Sequence, residues 1–298
     1  MNEKKIINRL SAVGIVGNIA LVVFKLYAGI AGRSGAMVSD AVHSLSDVFA
    51  TLVAYIGVRI SQKAPDQDHP YGHDRLECVA SMILGIILLV TGFGIGLNGV
   101  KQIAAGHYET LAVPSAIALA AAIVSIAVKE SMFWYTRHYA KKLNSSAFMA
   151  DAWHHRSDAL SSVGSLIGIG GAMLGVPVME PVACVAICLC ILKVAYDILK
   201  DAIDKMLDTA CSPEYEKKLH DFIAGQDGVE RVDKLQTRKF GNKIYIDAEI
   251  GVDGRISLRD AHEIAERVHD AVEGLDPEIK HIMIHENPVT ETPEENNI

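Results

Sequence analysis

The octapeptide DAVHSLSD at residues 40–47 occurs a second time, as DAWHHRSD at residues 151–158, and both copies lie in the apolar front part of the chain. In each copy a His and the final Asp stand four residues apart, so on a helix they share one face, and the leading Asp lies on that face too. Two such helices side by side would direct two imidazoles and two carboxylates at one point. These ligands are His43, Asp47, His154 and Asp158. Such an N₂O₂ set suits a tetrahedral divalent metal such as zinc, and the repeat favours a shared metal site over capped, hydrated helix ends.

The composition indicates a membrane part followed by a soluble part. Half of the 298 residues are hydrophobic, and the mean hydropathy is +0.23. Residues 1–208 carry a net charge of +1, whereas residues 209–298 carry −9. We therefore predict a transmembrane domain over 1–208, a soluble domain over 209–290 and a disordered acidic tail over 291–298. The acidic back half argues against binding to nucleic acid and suits metal cations.

Six apolar windows of about 20 residues, the length that a bilayer requires, predict six membrane spans. They fall at residues 10–32, 37–60, 78–100, 111–135, 147–175 and 178–199. Lys and Arg concentrate before the first window, after the last, and in the links after the second and fourth. The positive-inside rule then places both termini in the cytoplasm. The compact length and the absence of a targeting segment indicate a prokaryotic plasma membrane.

A second candidate metal site lies in the link between the second and third windows. Asp66, His69 and His73 occur there in the segment PDQDHPYGH, bounded by Pro and Gly. A solvated loop without a ligand is the alternative interpretation of this spacing. The cytoplasmic position of the loop, near the metal site proposed for the two octapeptides, favours the metal site.

The soluble part has the pattern of a small α+β domain. A helix is predicted to start at Ser212-Pro213-Glu214. Two strands follow at residues 230–240 and 243–252, joined across Gly241-Asn242. An amphipathic helix is predicted at residues 256–273 and a last strand at residues 279–285. The order αββαβ predicts an open-faced sandwich with both helices on one side of a three-stranded sheet. Its candidate metal ligands are Asp233, Glu249, His262 and His285, with Asp247 and His281 as neighbours; surface polar residues without a metal are the alternative.

The combination of these motifs resembles the cation diffusion facilitator family of divalent-metal exporters, in particular its bacterial zinc and iron efflux transporters. The paired His-x-x-x-Asp motifs, the Asp-x-x-His-x-x-x-His loop and a soluble αββαβ domain ending His-Glu-Asn-Pro carry the resemblance over nearly the whole chain. It implies that the two octapeptides form the transport site and that Asp66, His69 and His73 form a loop site. It also implies that Asp233, Glu249, His262 and His285 form regulatory metal sites in a cytoplasmic metal-sensing and dimerisation domain.

The resemblance further implies a homodimer and an interlocking salt bridge between Arg75 and Asp208. Zinc exporters of the family carry His where Asp233 and Glu249 stand and Asp where Asn287 stands, so the regulatory sites are expected to be weaker or tuned to another metal. The His-Asp pairs match the zinc-preferring pattern, although relatives move manganese, iron, cobalt, nickel or cadmium. No organic cofactor is implied.

Metal binding requires neutral imidazoles and ionised carboxylates, so loading the site displaces protons. We therefore expect proton-coupled antiport by alternating access, with Asp47, His154 and Asp158 as the titrating groups. Two other classes of function are considered. An intramembrane metallohydrolase would keep an open metal position and a general base, but two His and two Asp already fill a tetrahedral site, and no H-E-x-x-H occurs. A metal sensor that does not transport would not need six spans around its site.

Overall fold

The computed structural model describes residues 3–31, 35–105, 116–173, 176 and 179–289. The chain divides into two compact units, Met1–Ile203 and Asp204–Ile298. The first unit is helical and the second mixes helices with a sheet, which confirms the predicted fold class.

The six predicted spans all correspond to long helices of the described chain. These are α1 (Glu3–Ala31), α2 (Gly35–Ser61), α3 (Arg75–Ala105), α4 (Ala116–Lys142), α5 (Ser146–Met173) and α6 (Met179–Met206). Several are longer than the apolar windows because polar ends continue the same helix, as Lys141 and Lys142 do in the last turn of α4. The predicted start of the fourth span at residues 111–115 lies outside the described residues, as do residues 32, 174–175 and 178 of other predicted spans and the predicted tail at 291–298.

One apolar cluster joins α1, α2, α3, α4 and α5. Its buried members are Ile7, Leu10, Ala50, Ala54, Val58, Ala80, Leu84, Ala140, Ala147, Phe148 and Ala150. Many are alanines, and small side chains allow neighbouring helix backbones to approach closely. This close packing brings the octapeptide of α2 against the octapeptide of α5.

Glycines of α3 allow α6 to pack against it. A Cβ added at Gly92 would lie 2.7 Å from Ile191 Cγ2, and one at Gly96 would collide with Cys188 Sγ. A Cβ added at Gly94, by contrast, would meet no atom within 4 Å. Gly92 and Gly96 therefore serve the close packing that their four-residue spacing suggests.

Large apolar side chains cover the outer surface of the helices. Val16, Val90 and Leu189 are each 64–66% exposed. Such an apolar exterior is characteristic of a surface that faces lipid. By length and hydropathy, two helical stretches of the described residues qualify as spans, Glu3–Ala28 and Arg75–Ala105, with mean hydropathies of 1.8 and 2.5.

The second unit has the predicted αββαβ order. Its elements are α7 (Pro213–Ala224), β1 (Arg231–Phe240), β2 (Lys243–Asp253), α8 (Leu258–Glu273) and β3 (Ile279–Val289). Ser212 and Ser257 cap the two helices, and at Ser257 the side chain of Asp260 returns the bond to complete a capping box. The prediction ended β3 at residue 285, but the strand continues through Pro288, which an edge strand tolerates because its outer N–H groups are unpaired.

The sheet has the order β1-β2-β3, with β1 antiparallel and β3 parallel to β2. Alternate residues of β2, from Ile244 to Val252, pack in one cluster with Leu219 and Ile223 of α7 and Val268 and Val272 of α8. Both helices therefore cover the same face of the sheet. The opposite face carries Asp247 and Glu249, and in parallel register His285 lies opposite Glu249.

Candidate metal centre

Asp47 of α2 and His154 and Asp158 of α5 converge inside the helical unit. One ligand atom of each lies within 4.8 Å of those of the other two, and His154 Nε2 is 3.4 Å from Asp47 Oδ1. Asp47 and His154 are buried, and Asp158 is half-buried. The structure thus brings three of the four predicted transport ligands together. His43 lies on α2 one turn before Asp47, but its side chain is outside the described residues, so its role as fourth ligand stays a prediction.

A lysine that the sequence analysis did not select lies between the two carboxylates. Lys129 of α4 places Nζ 2.6 Å from Asp47 Oδ2 and 2.9 Å from Asp158 Oδ2, and it donates to Asn18 Oδ1 at 3.1 Å. Its side chain is 3% exposed. The available signal was a charge inside an apolar window, which marks a functional residue by default. Its neighbour Glu130 lies on the outer side of α4, where it accepts from Trp134 Nε1.

The leading aspartate of the second octapeptide has a different function from the final one. Asp151 Oδ1 accepts a hydrogen bond from Thr51 of α2 at 3.0 Å, and Asn18 of α1 donates to Thr51 at 3.3 Å. This buried chain of hydrogen bonds ties α1, α2 and α5 together beside the cluster. Asp151 therefore holds the helices that carry the ligands in place, since buried polar groups keep their position when they are hydrogen-bonded.

The loop between α2 and α3 brings its three predicted ligands together. The backbone N–H of His69 donates to Asp66 Oδ1 at 2.9 Å, and the imidazole Nδ1 of His69 is 3.3 Å from the same oxygen. His73 Nε2 is 3.5 Å from Asp66 Oδ2, and one ligand atom of each residue lies within 4.8 Å of the other two. Lys63 also forms an ion pair with Asp66, and its hydrogen bond is the main reason that the pKa of Asp66 is lowered below its usual range. The loop therefore holds a carboxylate and two imidazoles that can bind a metal.

The four predicted ligands of the second unit do not all meet. Asn287 Nδ2 donates to Asp233 Oδ2 at 2.9 Å and to Glu249 Oε2 at 3.4 Å, so the amide bridges two carboxylates on the open sheet face. The bond from Asn287, followed by that from Arg231, lowers the pKa of Asp233. His262 of α8 lies instead 3.5 Å from Glu266. Among the residues that the structure describes, none of Asp233, Glu249, His262 and His285 belongs to a cluster of three ligands.

The proposed salt bridge stays a prediction. Arg75 is the first residue of α3, in the first unit, and Asp208 follows α6, in the second. Asp208 has a left-handed backbone with φ of 56°, which ends α6 sharply and starts the connection to α7.

In the described part of the chain, six long helices enclose a carboxylate–imidazole cluster and an αββαβ unit follows them, which is the arrangement expected of a membrane metal transporter. The pattern of the cation efflux transmembrane domain matches residues 11–207, and that of the cytoplasmic domain of cation efflux proteins matches residues 211–289. The chain belongs to the cation efflux, or cation diffusion facilitator, family of divalent-metal exporters, whose members are transporters and not enzymes.

Known proteins similar to this chain come from several sources. An uncharacterized transporter of Methanocaldococcus jannaschii is 38% identical over 262 residues, which are 88% of this chain and 92% of that protein. The manganese efflux system protein MneP of Bacillus subtilis is 27% identical over 296 residues, with 97% and 98% covered. Among solved structures, the nickel form of a MamM CTD variant is 28% identical and covers 26% of this chain and 100% of its own, with a TM-score of 0.26.

Proposed function

We propose that this chain exports Zn²⁺ through a site made of Asp47, His154 and Asp158, with His43 as the fourth ligand. The observation that supports the site is the convergence of ligand atoms from α2 and α5 within 4.8 Å in the interior of the helical unit. A bare divalent ion is strongly disfavoured in the interior of a membrane. The two carboxylates compensate its charge.

Lys129 supplies one positive charge to the two carboxylates of the site when the ion is absent. Its ammonium contacts both Asp47 and Asp158, and unpaired buried carboxylates are strongly unfavourable. In the proposed cycle the ion displaces the ammonium from the carboxylates, and the ammonium returns when the ion leaves. Asn18 Oδ1 accepts a hydrogen bond from the same ammonium. Lys129 therefore keeps one partner while the ion occupies the carboxylates.

Transport is coupled to protons in the proposed mechanism. The ion enters from the cytoplasm, the site reorients to the other side, and protons arriving at Asp47, His154 and Asp158 weaken the ligands and release the ion. Each turnover then imports protons and exports one divalent cation. The loop cluster of Asp66, His69 and His73 binds a second ion near the cytoplasmic end of α2.

In this proposal, residues 209–290 form a domain that senses metal and dimerises, and residues 1–208 form the transport domain. Asp233 and Glu249, bridged by Asn287, and His285 in register with Glu249 supply one metal site of the open sheet face, and His262 supplies a ligand from α8. An interlocking salt bridge between Arg75 and Asp208 lies near the membrane surface. The chain forms a homodimer in a prokaryotic plasma membrane with both termini in the cytoplasm.

Zinc is preferred over manganese and iron because imidazole nitrogen and carboxylate oxygen form the ligand set that Zn²⁺ favours, whereas Mn²⁺ favours oxygen ligands. The similarity to a manganese efflux protein makes Mn²⁺ the first competitor to test. The preference therefore has to be measured with the metals in parallel.

The test is metal flux into proteoliposomes of the full-length protein, with Zn²⁺, Mn²⁺, Fe²⁺ and Cd²⁺ supplied separately. Asp158→Ala should abolish flux, and Asp197→Ala should not, because Asp197 pairs with Lys193 on the exposed side of α6. Normal transport by Asp158→Ala would refute the site, and a dominant Mn²⁺ or Fe²⁺ flux would refute the zinc assignment alone. A rate indifferent to an imposed pH gradient would refute proton antiport.

A further inference from the structure

A third cluster of metal-ligating side chains lies where α8 meets β3. His269 and Glu273 are one turn apart on α8, and His281 belongs to β3. Glu273 Oε1 is 3.0 Å from His269 Nε2 and 3.0 Å from His281 Nδ1, and one ligand atom of each residue lies within 4.8 Å of the other two. We propose that His269, Glu273 and His281 form an additional divalent-cation site that binds Zn²⁺.

The geometry needs little change to accept an ion. Tetrahedral ligands at about 2.1 Å from zinc are about 3.4 Å apart, which is close to the two observed contacts of Glu273. The rings of His269 and His281 are 5.3 Å apart between centroids and inclined by 70°. The two imidazoles therefore approach the carboxylate from different directions, and an ion can take a position between all three.

The three ligands are also held by rigid elements. The Gly274 N–H bonds to the Asp270 carbonyl and ends α8 directly after Glu273, and His281 is paired with Tyr245 in the sheet. A short connection, residues 274–278, joins the two elements. A site assembled from fixed elements binds with less loss of conformational freedom than one assembled from loops.

The cationic partners of the carboxylate distinguish this cluster from the other two. Lys63 lies on Asp66, and Lys129 lies on Asp47 and Asp158. Within the described residues, Glu273 forms its ion pairs with the two imidazoles. An ion that enters here meets two nitrogen ligands and one carboxylate without displacing an ammonium.

The cluster is separate from the metal site proposed for the open sheet face. His281 pairs with Tyr245, whereas His285 pairs with Glu249, and four residues along a strand span about 13 Å. The side chains of His269, Glu273 and His281 are 28%, 34% and 46% exposed, so ions exchange directly with solvent. Three protein ligands leave the fourth position to water, which suits reversible binding.

The test is histidine footprinting of the full-length protein with diethyl pyrocarbonate, followed by peptide mapping, with and without Zn²⁺. At free Zn²⁺ of ten times the Kd, the modification rates of His269 and His281 should fall about tenfold, because the unbound fraction is 1/(1 + [L]/Kd). His220 is the matched control, since it forms a two-residue pair with Asp221 on α7 and should stay reactive.

Two variants make the result specific to the cluster. In His281→Ala, or in the milder Glu273→Gln, Zn²⁺ should no longer protect His269, provided that the thermal unfolding of the variant resembles that of wild type. The protection should persist in Asp158→Ala, so the outcome does not depend on the transport site. Equal protection of His269 in wild type and in both variants, or no protection in wild type, would overturn the proposal.

Discussion

Replacement of Lys129 by methionine tests the charge balance of the transport site most directly. The ammonium contacts Asp47 at 2.6 Å and Asp158 at 2.9 Å, and it is buried with them. Methionine keeps most of the volume of the aliphatic stem and removes the charge. A divalent ion that binds the variant no longer has to displace a competing cation.

The size of the effect follows from the contacts that the ion must break. A hydrogen bond to a charged group contributes about 1.5–3 kcal/mol net, and the ammonium keeps its bond to Asn18 at 3.1 Å as it moves aside. Because the ion breaks two such bonds, to Asp47 and to Asp158, about 3–6 kcal/mol is recovered in the variant. We therefore expect Lys129→Met to lower the Kd for Zn²⁺ by roughly 100- to 10,000-fold, at 1.4 kcal/mol for each factor of ten. Without metal, the variant should lose stability on the order of 3–5 kcal/mol, because Asp47 and Asp158 lose the ammonium, although Asp47 keeps its contact with His154.

The assay combines equilibrium Zn²⁺ competition with a chelator and flux in proteoliposomes. Tighter binding should lower the apparent KM and slow release, so the maximal rate should fall as well. Lys25→Met is the matched control, because it removes another buried lysine of the helical unit, one that bonds to Ser44 at 2.8 Å. A folded Lys129→Met protein with unchanged or weaker zinc affinity would refute the proposed competition.

Three further predictions concern other parts of the chain. Asn287→Asp should destabilise the second unit without metal, because three carboxylates then meet where the amide now bridges Asp233 and Glu249. The substitution should also increase the rise in Tm that Zn²⁺ produces, and an equal rise in wild type would contradict this. Gly57→Val should disrupt the packing of α2 on α3, because a Cβ at Gly57 collides with Ala80. The free energy of unfolding should fall by about 1–3 kcal/mol, which a lower Tm would show. Gly94→Val is the control, because a Cβ at Gly94 has open space. Burial raises the pKa of the Cys211 thiol, and the thiolate is the reactive form. Alkylation of Cys211 at pH 8 should therefore be slower in the folded protein than in the denatured protein, and it should keep rising at higher pH; equal rates in the two states would refute the effect of burial.

Sequence reasoning succeeded where the signal is local and periodic. The helices and strands follow from apolar periodicity, from caps such as Ser257, and from turn residues, all of which act over a few neighbouring positions. The convergence of Asp47 with His154 and Asp158 was also predictable, because an internal repeat of the same polar residues on two helices indicates a common location. The end of β3 was missed because Pro288 normally ends a strand, and only the position of β3 at the sheet edge permits it.

The residues that sequence reasoning missed are those whose partners come from other elements. Lys129 is one charge in an apolar helix, and only the packing of α4 against α5 and α2 places it between two carboxylates. Asp151 repeats the pattern of a ligand but bonds to Thr51. His269 and Glu273 have the spacing of an ordinary surface pair until β3 brings His281 to them.

The sequence by itself therefore determined the class of fold, the apolar and polar faces of each element, and the residue types available for metal binding. The tertiary structure decided which of those residues share a site and which cations already occupy their carboxylates. The physical reason is that periodicity specifies the direction of a side chain relative to its own helix or strand. The neighbour that it meets depends on packing between elements that are far apart in the chain.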